Sequence, residues 1–190
     1  MHKLILTTLL PLTALLASCG GTGGPSAPSA VGSTTSTSGQ SGTSGDAGNQ
    51  TMSGEEAQIL KALNEARATP RTCGTESFKA AAPVTWNGSL AAAARAHAAD
   101  MAQRRFFDHV NPDGLTPAQR ADRAGYTGWT EVGENIAAGY TVTNVMQGWI
   151  DSASHCKTLM DPTLKEVGIG YTYQPGTPYG TYWVQDFGTR

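Results

Sequence analysis

From about residue 53 onward, apolar side chains recur at helical intervals until about residue 153, and from residue 167 they alternate instead. Ser53-Gly-Glu-Glu56 reads as a capping box, in which the serine oxygen and the Glu56 carboxylate satisfy the first free amides of a helix. Ala57, Leu60, Leu63, Asn64 and Arg67 follow at helical spacing, and Pro70 lies beyond the end. A second helix is predicted from the cap Asn87 through LAAAARAHAADMAQRR, with Leu90, Ala94, His97 and Met101 on one face. Its many alanines allow close approach to whatever it packs on. Thr116-Pro117-Ala118-Gln119 is another capping box, with proline at the first helical position and Gly125 as a left-handed stop. Val142, Val145, Met146, Trp149 and Ile150 predict a fourth helix from Thr141 to about Ala153.

The period then changes to two. Val167, Ile169, Tyr171 and Tyr173 alternate, a Gln-Pro-Gly-Thr-Pro turn follows, and Tyr182 to Phe187 returns as an aromatic-rich strand. A lone hairpin is marginal in water, so a third strand is required, and Gly133-Glu134-Asn135-Ile136 is the best candidate. Helices first and strands later predict an α+β domain over residues 55–190, with an antiparallel sheet.

The first 54 residues change the picture. Residues 1–18 carry Lys3, an apolar run from Leu4 to Leu16 and then small residues, the pattern of an export signal. Leu16-Ala17-Ser18-Cys19 matches a bacterial lipobox, so Cys19 is the expected site of lipidation and the link to a membrane. Residues 19–54 are Gly, Ser, Thr, Pro and Ala-rich and lack the apolar surface that offsets chain entropy. They read as a disordered, lipid-anchored tether with ends about 30 Å apart.

Removing the signal takes Lys3 from the 13 basic side chains, leaving 12 against 15 acidic ones. So weak a balance, without a basic cluster, argues against a nucleic-acid partner. With Cys19 committed to lipid, Cys73 and Cys156 remain, and in an exported chain the simplest reading is a disulfide. It would close a loop of roughly 80 residues, worth about 4 kcal/mol in the chain-entropy view.

Candidate chemistry sits on three separated segments: His109 in FFDHVNPDG, Glu134 in VGENIAAG and His155 in WIDSASHCKTLM. A neutral imidazole suits a borderline-soft divalent metal such as zinc, and a carboxylate can complete the set or act as a base. The bland alternative is that each merely bonds a turn or strand end. His97 shares an apolar helix face and reads as a core histidine. Asn111-Pro-Asp113-Gly114 reads as a turn rather than a calcium site. Neither Gly133-Glu-Asn nor Gly168-Ile-Gly170 has the spacing or following lysine of a phosphate loop. Tyr171, Tyr173, Tyr182 and Trp183 read as sheet core and one rim.

Leu63-Asn-Glu-Ala-Arg67, His97-Ala-Ala-Asp-Met-Ala102, Phe106-Phe-Asp-His109, Gly133-Glu-Asn-Ile-Ala137, Ser154-His155, Val167-Gly-Ile-Gly170 and Tyr182-Trp-Val-Gln185 together resemble the bacterial branch of the CAP superfamily. That superfamily, also called SCP-like, is named for cysteine-rich secretory proteins, antigen 5 and pathogenesis-related 1 proteins. The resemblance runs in order over residues 57–188. It implies an α-β-α sandwich with the sheet between helical layers, and a central cleft holding two His and two acidic residues, in some members with zinc or another divalent ion. By motif, the cleft and metal residues carried over are His109, Glu134 and His155. The fourth departs: where many members have Glu three residues after the helix tryptophan, Trp149 is followed there by Ser152. Asp151 lies about 100 degrees around the helix from that place.

A metal-dependent hydrolase needs both an ion with an open position and a base, and Glu134 cannot readily be ligand and base at once. The expectation is therefore a monomeric, exported, lipid-anchored module at the cell envelope that binds a lipid, a glycan or an envelope protein without catalysis. The alternatives are a metal-dependent peptidase or other hydrolase, and a structural adhesion module with a vestigial cleft.

Overall fold

The computed structural model describes residues 51–190. The expected signal at 1–18, the lipidated Cys19 and nearly all of the 19–54 tether lie outside the described residues. No helix among the described residues is long and apolar enough to cross a membrane.

The order of elements is α1 (Gly54–Arg67), β1 (Arg71–Cys73), β2 (Glu76–Phe78), β3 (Thr85–Trp86), α2 (Gly88–Arg104), α3 (Pro117–Arg123), β4 (Glu131–Ala138), α4 (Val145–Asp151), α5 (Ala153–Met160), β5 (Glu166–Tyr173) and β6 (Thr181–Thr189). Both capping boxes form, at Ser53–Glu56 and at Thr116–Gln119, and Asn87 caps α2 through the amides of Ser89 and Leu90. Gly125 takes φ +87° just past α3, as a left-handed stop requires.

The main sheet runs β3-β5-β6-β4. β5 and β6 form the predicted hairpin, and the Gly-Glu-Asn segment is the third strand, with Glu134 opposite Asp186 and Ile136 opposite Val184. One edge departs from the antiparallel expectation: two-residue β3 runs parallel to β5, because the chain passes along that edge on its way into α2. A separate small β1–β2 hairpin was not legible as alternation in three-residue strands.

Even-numbered residues of β5 and β6 face α2; β6 offers Tyr182 and Val184 there, whereas β5 is bare at Gly168 and Gly170. A Cβ at Gly168 would lie 1.9 Å from the Ala91 amide nitrogen, and one at Gly170 would lie 2.3 Å from the Ala94 carbonyl carbon. Glycines below and alanines above thus let helix backbone rest on strand backbone. The opposite face carries the larger core of Ile59, Leu63, Trp149, Leu159, Ile169, Trp183 and Phe187 beneath α1, α4 and α5. The result is the expected α-β-α sandwich.

Two polar devices tie the second layer together. Arg67, fully buried, donates to the carbonyls of Ala82, Leu159, Asp161 and Leu164, so one side chain joins α1 to the segment before β3 and to the end of α5 and the chain that follows it. The Cys73–Cys156 disulfide forms, with Cα atoms 5.4 Å apart, and pins β1 to α5.

The fourth predicted helix is shorter at both ends. Thr141–Asn144 is a turn, with the Thr141 amide bonded to the Asn144 side chain, and the helix stops at Asp151. Ser152 is extended (φ −91°, ψ 119°) and α5 starts in a new direction after it. The Ser152 and Ser154 hydroxyls meet at 3.4 Å across the break, and the disulfide ties α5 to β1 just beyond it.

Gly168→Ala is expected to lower unfolding free energy by about 3 kcal/mol or more, since the obstructing atoms are backbone. Gly54→Ala, whose Cβ meets nothing within 4 Å, should change it by less than about 1 kcal/mol. Chemical denaturation of the two variants checks both. Reducing the disulfide should cost about 2–4 kcal/mol, seen as a lower melting temperature; an unchanged one would contradict the staple.

Candidate functional site

α2 ends on Arg105, the one non-glycine residue with positive φ (58°) among the described residues, and this turns the chain back along the sheet. The segment 106–115 is then held from several sides. His97 Nε2 meets the Asp108 carbonyl at 3.0 Å, and Phe106 packs against the His97 ring. Asn111, nearly buried, accepts from the Asp113 and Leu115 amides and donates to Asp100. Asp113 is paired with Arg104, which agrees with the turn reading. His97 is a core histidine, with burial lowering its pKa.

This segment presents His109 to Glu134. His109 Nδ1 lies 2.7 Å from Glu134 Oε1, and Arg120 from α3 donates to Glu134 Oε2 at 2.5 Å. Arg120 also donates to the His109 and Leu115 carbonyls, both at 2.8 Å. Arginine, histidine and glutamate therefore close a ring in which each fixes another. Burial alone would push the Glu134 carboxyl up, but the bonds from His109 and Arg120 hold it below the usual glutamate range. The bond to Glu134 in turn raises His109. Beneath Glu134, on the adjacent strand, Asp186 is fully buried, and burial together with the neighbouring carboxylate raises it well above the usual aspartate range. A protonated Asp186 can donate to Glu134; an ionised one would have no donor near either oxygen.

His109 and His155 line one cleft of about 490 Å³, together with Ser152, Trp149, Tyr140 and Tyr179. His155, on α5, has a pKa lowered by burial and by the like charge of His109. Of the three residues singled out by sequence, the two imidazoles share the cleft, and Glu134 stands behind His109 with its side chain 1% exposed. Both of its oxygens are engaged. Ser152 lines the cleft at the position where the resemblance implied a glutamate, while Asp151 bonds Gln147 instead. No group of three or more His, Cys, Asp or Glu side chains among the described residues is disposed to hold a metal ion. A divalent ion would thus find two imidazoles, with Glu134 orienting the first from behind.

Arg120 and Asp186 were missed by sequence reasoning. Arg120 follows a capping box in a short helix, where an arginine normally faces water; Asp186 does stand beside Phe187 in an aromatic-rich strand, and that was a usable signal.

A sheet between helical layers, with an imidazole cleft at one sheet edge and a carboxylate behind one imidazole, defines an SCP-like sandwich. The chain belongs to the cysteine-rich secretory protein (CAP) family, whose sequence profile matches residues 60–187. It is 31% identical over 106 residues to the uncharacterized protein YkwD of Bacillus subtilis, covering 55% of this chain and 39% of YkwD. It is 29% identical over 90 residues to the uncharacterized membrane protein YlbC of the same organism, covering 47% of this chain and 26% of YlbC. The chain therefore spans well under half the length of these curated relatives. Among solved structures, an extracellular SCP-domain protein from Bacillus anthracis is 26% identical with a TM-score of 0.60, over 72% of this chain and 41% of that one. An outer surface protein from Borrelia burgdorferi shares the fold at 20% identity and a TM-score of 0.59, over 75% of this chain and 98% of its own.

In a ¹H–¹³C NMR titration His109 should titrate above, and His155 below, the ordinary histidine pKa of 6.5. Glu134→Gln should bring His109 down. For stability the sign follows from a raised folded pKa: the His109–Glu134 bond contributes fully below pH 6.5 and is lost as pH rises through the higher folded value.

Proposed function

We propose that this chain is an exported, lipid-anchored module of the cell envelope that binds a ligand, without catalysis, in the cleft between His109 and His155. A divalent ion such as zinc would take the two imidazoles, which suit it chemically, and would offer a polarising centre for a bound group. The observation that carries the non-catalytic reading is the engagement of Glu134: one oxygen bonds His109, the other Arg120. A carboxylate so held is neither a free third ligand nor a base able to take a proton from water. Ser152, in place of a fourth carboxylate, does not supply one either. An extracellular setting accords with the family and with the relative from Bacillus anthracis, and the lipobox at Cys19 supports attachment through lipid.

Isothermal titration of the purified chain with zinc tests the site. His109→Ala or His155→Ala should abolish binding, His97→Ala should cost stability and leave affinity nearly unchanged, and Ser152→Glu should tighten it. Zinc binding that survives loss of both His109 and His155 would refute the assignment. Hydrolysis of a peptide or ester that vanishes in Glu134→Gln would refute the non-catalytic reading.

A further inference from the structure

The floor of the cleft is Ile136, Ala137 and Ala138, three consecutive residues of β4, the outermost strand of its sheet. Consecutive strand residues point to opposite faces, so a cavity that touches all three lies against the strand's edge. The hydrogen-bond phase shows which peptide groups that edge presents. The Gly139 amide bonds the Thr181 carbonyl, which puts odd-numbered residues of β4 in the ladder with β6. On the far side of β6, the Gln174 amide bonds the Gly180 carbonyl, so even-numbered β6 residues serve β5, as the same phase demands. The N–H and C=O groups of Ile136 and Ala138 therefore point away from the sheet, into the cleft. One of them is already read from that side: the Trp149 indole N–H donates to the Ile136 carbonyl at 3.2 Å, where an added strand's amide would stand.

We infer that this edge is a binding site for an extended peptide segment, which adds to β4 as a further strand through the Ile136 amide and both backbone groups of Ala138. The inference rests on the reading of the cleft as a binding site and names its ligand class. Two side-chain walls flank the edge. Phe107 and Tyr179, 42% and 49% exposed with ring centroids 5.8 Å apart, stand on the α2 side; Tyr140 stands on the α4 side. Tyr140's ring lies over Gly148, where a Cβ would come within 2.5 Å of it. Alternate side chains of an added strand would meet these walls in turn, and a two-residue repeat of about 7 Å matches the step from Ile136 to Ala138. His109 and His155 bracket the other end of the same edge. An acyl chain would fill the walls but cover the Ala138 amide and carbonyl without satisfying them. A glycan lacks the regular alternation of donor and acceptor.

The test is selection of random heptapeptides on the full chain, followed by calorimetry with the enriched sequence made synthetically. Two perturbations read the main chain. N-methylation of that peptide should weaken binding by about tenfold or more at alternate residues and little at those between them. Ala138→Pro removes a donor that β6 does not use and should weaken binding about five- to tenfold. If that variant fails to fold, the N-methyl series decides alone. A selected peptide indifferent to N-methylation overturns the inference, as does failure to enrich any peptide. If zinc still binds His109 and His155 in that case, the cleft remains a binding site and only its ligand class falls; if zinc binding is absent too, both readings fall.

Discussion

The contact of α2 with the β5 backbone governs the rest of this fold. A helix normally stands off a sheet by the thickness of two side-chain layers; here Gly168 and Gly170 remove one and Ala91 and Ala94 thin the other. So close an approach leaves no tolerance in the height or rotation of α2, and both are inherited by whatever α2 carries. His97 is on its buried face, and its ring reaches the Asp108 carbonyl. The helix also ends on Arg105, whose left-handed backbone redirects the chain at a fixed point. The position of His109 is thus set by a steric fit at Ala91 and Ala94, well upstream in α2.

Steric placement alone would leave an exposed loop histidine free to rotate. Arg120 removes that freedom by holding the His109 carbonyl and the Glu134 carboxylate with one guanidinium, while Glu134 holds the imidazole. Planar forked donors suit this double task in a way that a lysine ammonium does not. The group beneath completes the balance. Two carboxyl groups on neighbouring strands, both shielded from water, cannot both ionise cheaply, and burial together with the Glu134 carboxylate raises Asp186, which has no bonded cationic partner, well above the usual aspartate range. The His109 bond and the Arg120 charge hold Glu134 below the usual glutamate range, and the same bond keeps His109 oriented.

Features settled by neighbours in sequence were legible there. Both capping boxes, the Asn87 cap, the Gly125 stop and the β5–β6 hairpin depend on residues within a few positions of one another, and all formed as expected. The two cysteines paired as elimination suggested. What failed to show in the sequence depends on partners far away. The break at Ser152 answers to a disulfide across 83 residues. Parallel β3 answers to β5, about 80 residues later. Arg120 looked like a solvated helix residue because its acceptors are two carbonyls of the 106–115 segment and a carboxylate on β4. Glu134 was recognised, but as a member of the cleft, since its motif says nothing about which of its oxygens remain free.

The cleft lies where the sheet ends, and that location bears on what the domain can do. An unprotected edge strand invites adventitious pairing, and proteins usually blunt such edges with charge, proline or a covering element. β4 has no charged or proline residue between Asn135 and Ala138; the Trp149 indole covers a single carbonyl, and loop and helix walls rise on either side rather than across it. Walls of this kind exclude another sheet, which would need the edge along its whole length, yet they admit one narrow chain. The same walls carry the two imidazoles. Enclosure rather than charge therefore protects this edge, and both imidazoles line the cleft it leaves.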